Sequence, residues 1–169
     1  MKLNNLPNYK TIVKTNIGIP GNDIEETATL LNTLLADEYE LYTKTRSAYW
    51  NVTGPNFEEM HNFFKGQHED IDLMIDGIAE RIRSLGHFAL GYLKDYLSVT
   101  HLIEDHYDFG KPQQIIQTLF NDHETIIRFI RNEITPVSEE FKDLGTANFL
   151  TGMLEQHEKM AWRLRAFLS

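Results

Sequence analysis

The stretch from Pro55 to Leu85 limits the fold more than any other part of the chain. At about 100° per residue, Phe57, Met60, Phe64, Ile71, Ile75, Ile78 and Ile82 fall on one arc. His61, Lys65, His68, Asp72, Asp76 and Glu80 form a polar stripe beside it. A helix of this length with one apolar face has to bury that face against other helices. Three further stretches carry the same period. One runs from Ile24 to about Asn51 through Leu30, Leu31, Leu34, Leu35, Leu41, Tyr42 and Tyr49. Another starts near Pro112 and turns Ile115, Ile116, Leu119, Ile126, Ile127, Phe129 and Ile130 inward. The last opens at Gly145-Thr146 and passes through Phe149, Leu150, Met153, Leu154, Met160, Trp162 and Leu164.

Local chemistry sets the boundaries. Gly21-Asn22-Asp23 offers an N-cap for the first helix, with Glu25 and Glu26 favourable to its dipole. Gly54-Pro55 breaks the chain, with Pro55 suited to the first turn of the second helix, and Gly86 stops that helix. Pro136 kinks the third helix or ends its first part. From His87 to Gly110 the pattern is mixed, with one short helical candidate at Tyr92–Thr100. Antiparallel neighbours rarely need so long a connection, whereas parallel helices in ferritin-like bundles do. The expected fold is therefore all-α, a ferritin-like four-helix bundle over residues 22–169. A long crossover carrying a short extra helix joins its second and third helices. Residues 1–21, with Lys2, Lys10, Lys14 and no acid, read as an N-terminal arm.

The chain has no cysteine, which excludes disulfides, thiolate metal sites and cysteine nucleophiles. A metal here would be held by imidazole, carboxylate, amide or hydroxyl groups. A net charge of -9 argues against a uniformly basic nucleic-acid surface. No apolar run is long enough to span a bilayer, and residues 1–10 lack a signal-peptide core. The expectation is a cytoplasmic protein with no membrane partner.

Within one bundle, a di-iron centre needs Glu from two helices and Glu-x-x-His from two more. Only Glu58 and His61 make that spacing; Glu155, His157 and Glu158 do not, nor do His123 and Glu124. Asp76 and Glu80, four residues apart, present two carboxylates on one helix face. Such oxygen ligands suit Fe(II), Mn or Mg, and an imidazole raises affinity for transition metals. His61 lies about 22 Å from Asp76 along the axis, too far for one ion. His61 can join Asp76 and Glu80 only if a second copy of the helix runs antiparallel beside the first. That arrangement is a twofold dimer with two equivalent sites.

The run Ala48-Tyr49-Trp50-Asn51-Val52-Thr53-Gly54-Pro55-Asn56-Phe57, then His61, Asp76-Gly77-Ile78-Ala79-Glu80-Arg81 and Leu85-Gly86, resembles the Dps family of mini-ferritins. So do Leu34-Leu35-Ala36-Asp37-Glu38 and the tail from Gly145-Thr146-Ala147 to Glu158-Lys159-Met160-Ala161-Trp162. The resemblance implies iron bound and oxidised between two subunits of a hollow, dodecameric homo-oligomer. In that family a His just before the Trp, a second His and an acid one turn later face an Asp-x-x-x-Glu pair of the partner. His61, Asp76 and Glu80 match; the first His is Tyr49 here, and the acid is Lys65.

Those two exchanges matter chemically. A phenol keeps its proton at neutral pH and holds Fe(II) weakly, though it can take a redox part. An ammonium has three donors and no lone pair, so Lys65 disrupts the site. Three ligands allow a weak, mononuclear iron site, with His68 as a substitute ligand. Trp50, packed beside the iron, and Tyr49 are the side chains with a candidate part in the chemistry. The resemblance also implies acidic threefold pores, with Glu139, Asp143 and Asn148 at the matching positions. It further implies DNA contact through the lysines of the arm. The competing expectation is a cage-forming or DNA-protecting shell with little or no ferroxidase activity. His101, His106, His123 and His157 read as surface or network histidines, and Phe57, Phe63 and Phe64 as core.

Overall fold

The computed structural model describes residues 14–104 and 106–168. Most of the expected arm, including Lys2 and Lys10, lies outside the described residues. Among the described residues, five α-helices make the fold: α1 (Gly21–Asn51), α2 (Phe57–Ser84), α3 (Leu93–Val99), α4 (Pro112–Thr135) and α5 (Leu144–Ala166). Short links join α1 to α2 and α4 to α5, so each pair is a helical hairpin. The hairpins pack through α1 against α4 and α2 against α5. α2 and α4 are therefore diagonal, and residues 85–104 and 106–111 belong to the crossover between them. Among the described residues no helix is long and apolar enough to cross a membrane.

Most helix ends follow from the sequence. α2 closes in a Schellman motif: the Gly86 N–H bonds Arg83 O at 3.0 Å and the His87 N–H bonds Ile82 O at 3.2 Å. Gly86 takes φ 85°, a left-handed value that favours glycine. Pro112 occupies the first turn of α4. Pro136 has no N–H to continue the ladder, so α4 gives way to a π turn at Pro136–Glu140. The Phe141 N–H closes that turn on Pro136 O at 3.1 Å.

Two helix starts differ from expectation. α1 begins at Gly21 behind Pro20 with no side-chain cap, so Asn22 and Asp23 lie inside the first turn. Proline fixes φ at the entry, and its carbonyl receives the Ile24 N–H at 3.0 Å. α2 begins at Phe57, two residues after Pro55. Pro55 and Asn56 instead form a turn, closed by the Phe57 N–H on Gly54 O at 3.1 Å.

The core draws on all four long helices, with Leu31, Leu34, Phe64, Ile78, Ile115, Ile126, Leu150 and Leu164 fully buried. Two aromatic expectations are corrected. Phe57 is 43% exposed and Trp162 59% exposed. Phe57 opens the first turn of α2, and position 162 sits off the arc that buries His157, Met160, Ala161 and Leu164.

Polar residues of α1 tie down the crossover. Asn32 donates to Phe88 O at 3.2 Å and accepts from Leu90 N–H at 2.8 Å. The buried Asp37 carboxylate accepts from Thr100 Oγ1 at 2.7 Å and from the His101 N–H at 2.6 Å, and it pairs with His101 Nδ1 at 2.9 Å. Lys44 donates to Ile103 O at 3.1 Å and pairs with Asp122 of α4 at 2.5 Å. Asn32, Asp37 and Lys44 are thus all matched, which lets α1 carry them on an inner face. α3 packs on α1 at this end of the bundle.

Candidate metal centre

His61 sits in the second turn of α2, half-buried near the end of α1. Its Nδ1 lies 2.9 Å from the Tyr49 carbonyl oxygen. A carbonyl can only accept, so Nδ1 carries the proton, and the neutral ring keeps its lone pair on Nε2. Outer hydrogen bonds impose this same orientation on metal-binding histidines. The ring stacks on Phe57 at 5.1 Å between centroids and lies tilted against Tyr49 at 4.3 Å. His61 is therefore fixed in tautomer and in plane.

Asp76 and Glu80 lie one turn apart on α2, both exposed. Their end of the helix is anchored by the next residue. Arg81 donates through Nε to Thr146 Oγ1 and through Nη2 to Asp143 Oδ1, each at 2.9 Å. Asp143 in turn caps α5 by accepting the Thr146 N–H at 2.9 Å. A Cβ on Gly145 would come within 2.9 Å of Arg81 Nη2, so a glycine leaves the guanidinium its room. Asp143 is buried and its carboxylate is committed to this cap and ion pair, whereas Glu139 and Asn148 are exposed.

The structure does not bring His61 and the two carboxylates together within one chain. Among the described residues, no three His or acidic side chains converge in metal-holding geometry. Tyr49 stands against His61. Trp50 is 61% exposed, with the Arg46 guanidinium 4.8 Å from its ring centroid. Lys65 is exposed and pairs with Glu69 at 4.0 Å. His68 faces Tyr49 and Tyr42, at 5.1 and 5.9 Å between centroids. Burial holds its ring below the ordinary imidazole range, and its buried Nδ1 has no hydrogen-bond partner among the described residues. Among the described residues, the donors expected from the sequence are thus one oriented imidazole and, farther along the same helix, one carboxylate pair.

A second constellation lies in the bundle core. His157 of α5 contacts Glu38 Oε1 of α1 through Nε2 at 2.6 Å and His123 Nδ1 of α4 through Nδ1 at 3.0 Å. All three residues are completely buried. Glu38 and His123 bond different nitrogens of the His157 ring, so the three form a chain of hydrogen bonds and not a ligand shell. Glu38 Oε2 and His123 Nε2, its two ends, have no partner among the described residues. The sequence marks His157 and His123 as network histidines, but Glu38 as their third member goes unseen there. A signal for it exists: each of the three occupies a position where the helical period calls for an apolar residue.

Burial, reinforced by the neighbouring His157, pushes the His123 pKa well below the ordinary imidazole value. The unfolded chain binds a proton at this residue below about pH 6.5, and the folded chain does not. Stability at this residue is therefore full above that pH and falls as pH drops toward the depressed folded pKa. Denaturant midpoints measured between neutral pH and about pH 5 are expected to decline, and less steeply in His123→Leu. Identical slopes would show that another group drives the decline.

Comparison with known proteins agrees with this architecture. The ferritin-like domain family matches residues 28–169. A low temperature-induced protein of Nostoc is 38% identical over 155 residues, which cover 92% of this chain and 87% of that protein. A DNA protection during starvation protein of Bacillus anthracis is 30% identical over 140 residues, 83% of this chain and 94% of that one. Among solved structures, a DPS protein from Vibrio cholerae superposes with a TM-score of 0.85 at 28% identity, covering 95% of this chain and 100% of that one. It is described as a member of a superfamily of ferritin-like diiron-carboxylate proteins.

Proposed function

This chain belongs to the Dps group of ferritin-like proteins, and from that premise we propose that it takes up Fe(II) as a substrate between two subunits. Peroxide or oxygen oxidises the iron there, and the product is stored within a hollow shell of copies of the chain. The observation that carries this reading is His61, whose Nδ1–H on the Tyr49 carbonyl leaves Nε2 open to a cation. Asp76 and Glu80 of a second copy complete three donors, suited to one iron at a time. Tyr49 and Lys65 stand where two more ligands would be, which makes the site weak. Trp50, 61% exposed beside it, is the kind of surface that a second copy covers. Glu139 and Asn148, both exposed, are free to face an ion entering a pore, whereas Asp143 is held in its cap. A second reading, a shell that shields DNA, draws on the names of the relatives and on Lys14, exposed at the edge of the arm.

A shared site predicts complementation. His61→Ala and the pair Asp76→Ala, Glu80→Ala should each lose Fe(II) binding, measured by anaerobic titration. Refolded together in equal amounts, half the dimers are mixed and each has one intact site of two. Binding is then expected to return to about a quarter of the wild-type capacity. No recovery would defeat the shared site.

A further inference from the structure

Tyr39, Tyr42 and Tyr49 occupy one stripe of α1. Tyr42 and Tyr49 are two turns apart, about 10 Å along the axis. The His68 ring of α2 fills that interval, 5.9 Å from Tyr42 and 5.1 Å from Tyr49. Beyond Tyr49 comes His61, at 4.3 Å. In the other direction Tyr39 follows Tyr42 at 6.2 Å and stacks on Tyr96 of α3 at 4.5 Å and 22°. An unbroken file of rings thus runs from the His61 end of α1 to the crossover. Packing alone asks for rings or leucines, not for phenols. Yet every α1 member is a tyrosine, and Tyr96 is 8% exposed with its hydroxyl donating to Leu90 O at 2.8 Å.

We propose that Tyr49, Tyr42, Tyr39 and Tyr96 form a chain that carries one-electron oxidising equivalents from the His61 face to a sheltered resting place at Tyr96. As to the source of those equivalents, the proposal rests on the iron reading above. One Fe(II) reacting with hydrogen peroxide gives Fe(III), hydroxide and a hydroxyl radical. The radical takes a hydrogen atom from Tyr49, giving water and the Tyr49 phenoxyl. That phenoxyl regains an electron and a proton as Tyr42 loses one of each. The His68 ring, lying between the two, shortens the gap that the electron crosses. The same exchange passes the hole to Tyr39 and then to Tyr96. A second Fe(II), with one proton, restores the phenol and becomes Fe(III). The sum is two Fe(II) oxidised and one peroxide reduced, with one proton consumed, to water and hydroxide. A site that holds one iron thereby reduces peroxide completely without releasing a radical.

The chain can be tested without iron. Since the protein has no cysteine, Glu58→Cys gives a single attachment point for a ruthenium sensitiser beside Phe57. Flash oxidation with persulfate, followed by rapid freezing and electron paramagnetic resonance, reads the phenoxyl. The protein with all four tyrosines is expected to give a long-lived tyrosyl signal. Tyr39→Phe, which keeps the ring but cuts the file, is expected to shorten its lifetime by about tenfold. Tyr49→Phe should lower the yield. Equal yield and lifetime in all three proteins would overturn the chain. In a parallel experiment, Fe(II) and peroxide replace the sensitiser and a spin trap detects escaping hydroxyl radical. More escape per Fe(II) bound in Tyr49→Phe supports the full scheme, and equal escape per Fe(II) bound overturns it. If the sensitiser produces the signal and iron with peroxide does not, the chain stands as a conductor and the iron reading of His61 fails.

Discussion

His157→Leu is expected to cost about 3–5 kcal/mol of stability. The wild-type ring satisfies two buried groups at once, Glu38 at 2.6 Å and His123 at 3.0 Å. Removing it leaves the Glu38 carboxyl with no partner on either oxygen, because Oε2 already has none among the described residues. It also strips the His123 ring of its bond to His157, with Nε2 already unmatched among the described residues. Leaving a buried carboxyl group and a buried imidazole without partners outweighs the apolar area that leucine adds. The triple variant Glu38→Leu, His123→Leu, His157→Leu removes all three polar groups together and is expected to lie much nearer the wild type. Denaturant titration of the three proteins checks this. If His157→Leu matches the wild type, or if the triple variant is the least stable, the core network is not what the single exchange disrupts.

The contrast between this network and the helices shows which parts of the structure are legible in the sequence. Gly86, Pro112 and Pro136 act locally, through φ or a missing N–H, so their effects are readable from neighbouring residues alone. The N-cap at Gly21-Asn22-Asp23 misleads because Pro20, one residue earlier, already fixes the entry and takes the first hydrogen bond. The tethers of the crossover have no local signal. Asn32 meets Phe88 and Leu90 only because the crossover folds back on α1. Glu38, His123 and His157 each interrupt an apolar period, but which of them meet depends on the packing of α1, α4 and α5. The proposed metal site is a different case. His61, Asp76 and Glu80 are candidate donors by type and spacing alone, and the proposal that they meet requires a second chain.

The double exchange Tyr49→His, Lys65→Asp is expected to raise the rate of Fe(II) oxidation by peroxide on the order of a hundredfold, at about tenfold for each repaired ligand position. Tyr49 lies 4.3 Å from His61 between ring centroids, so an imidazole there lies beside the first. Lys65, one turn after His61, is exposed and makes a 4.0 Å contact to Glu69, so its replacement by Asp disturbs no buried partner. The exchange converts a fixed positive charge into an anionic ligand, which favours a divalent cation twice over. Stopped-flow absorbance of the ferric product measures the rate. Equal, fast rates in both proteins would end the idea that the natural centre is incomplete. The same variant removes the head of the tyrosine file. Its tyrosyl signal under Fe(II) and peroxide is therefore expected to fall as its oxidation rate rises. A centre completed with two more ligands can hold two irons and deliver both electrons to peroxide, so it no longer needs the phenols. Opposite movement of these two readouts would tie the missing ligands and the tyrosine file to one chemical purpose.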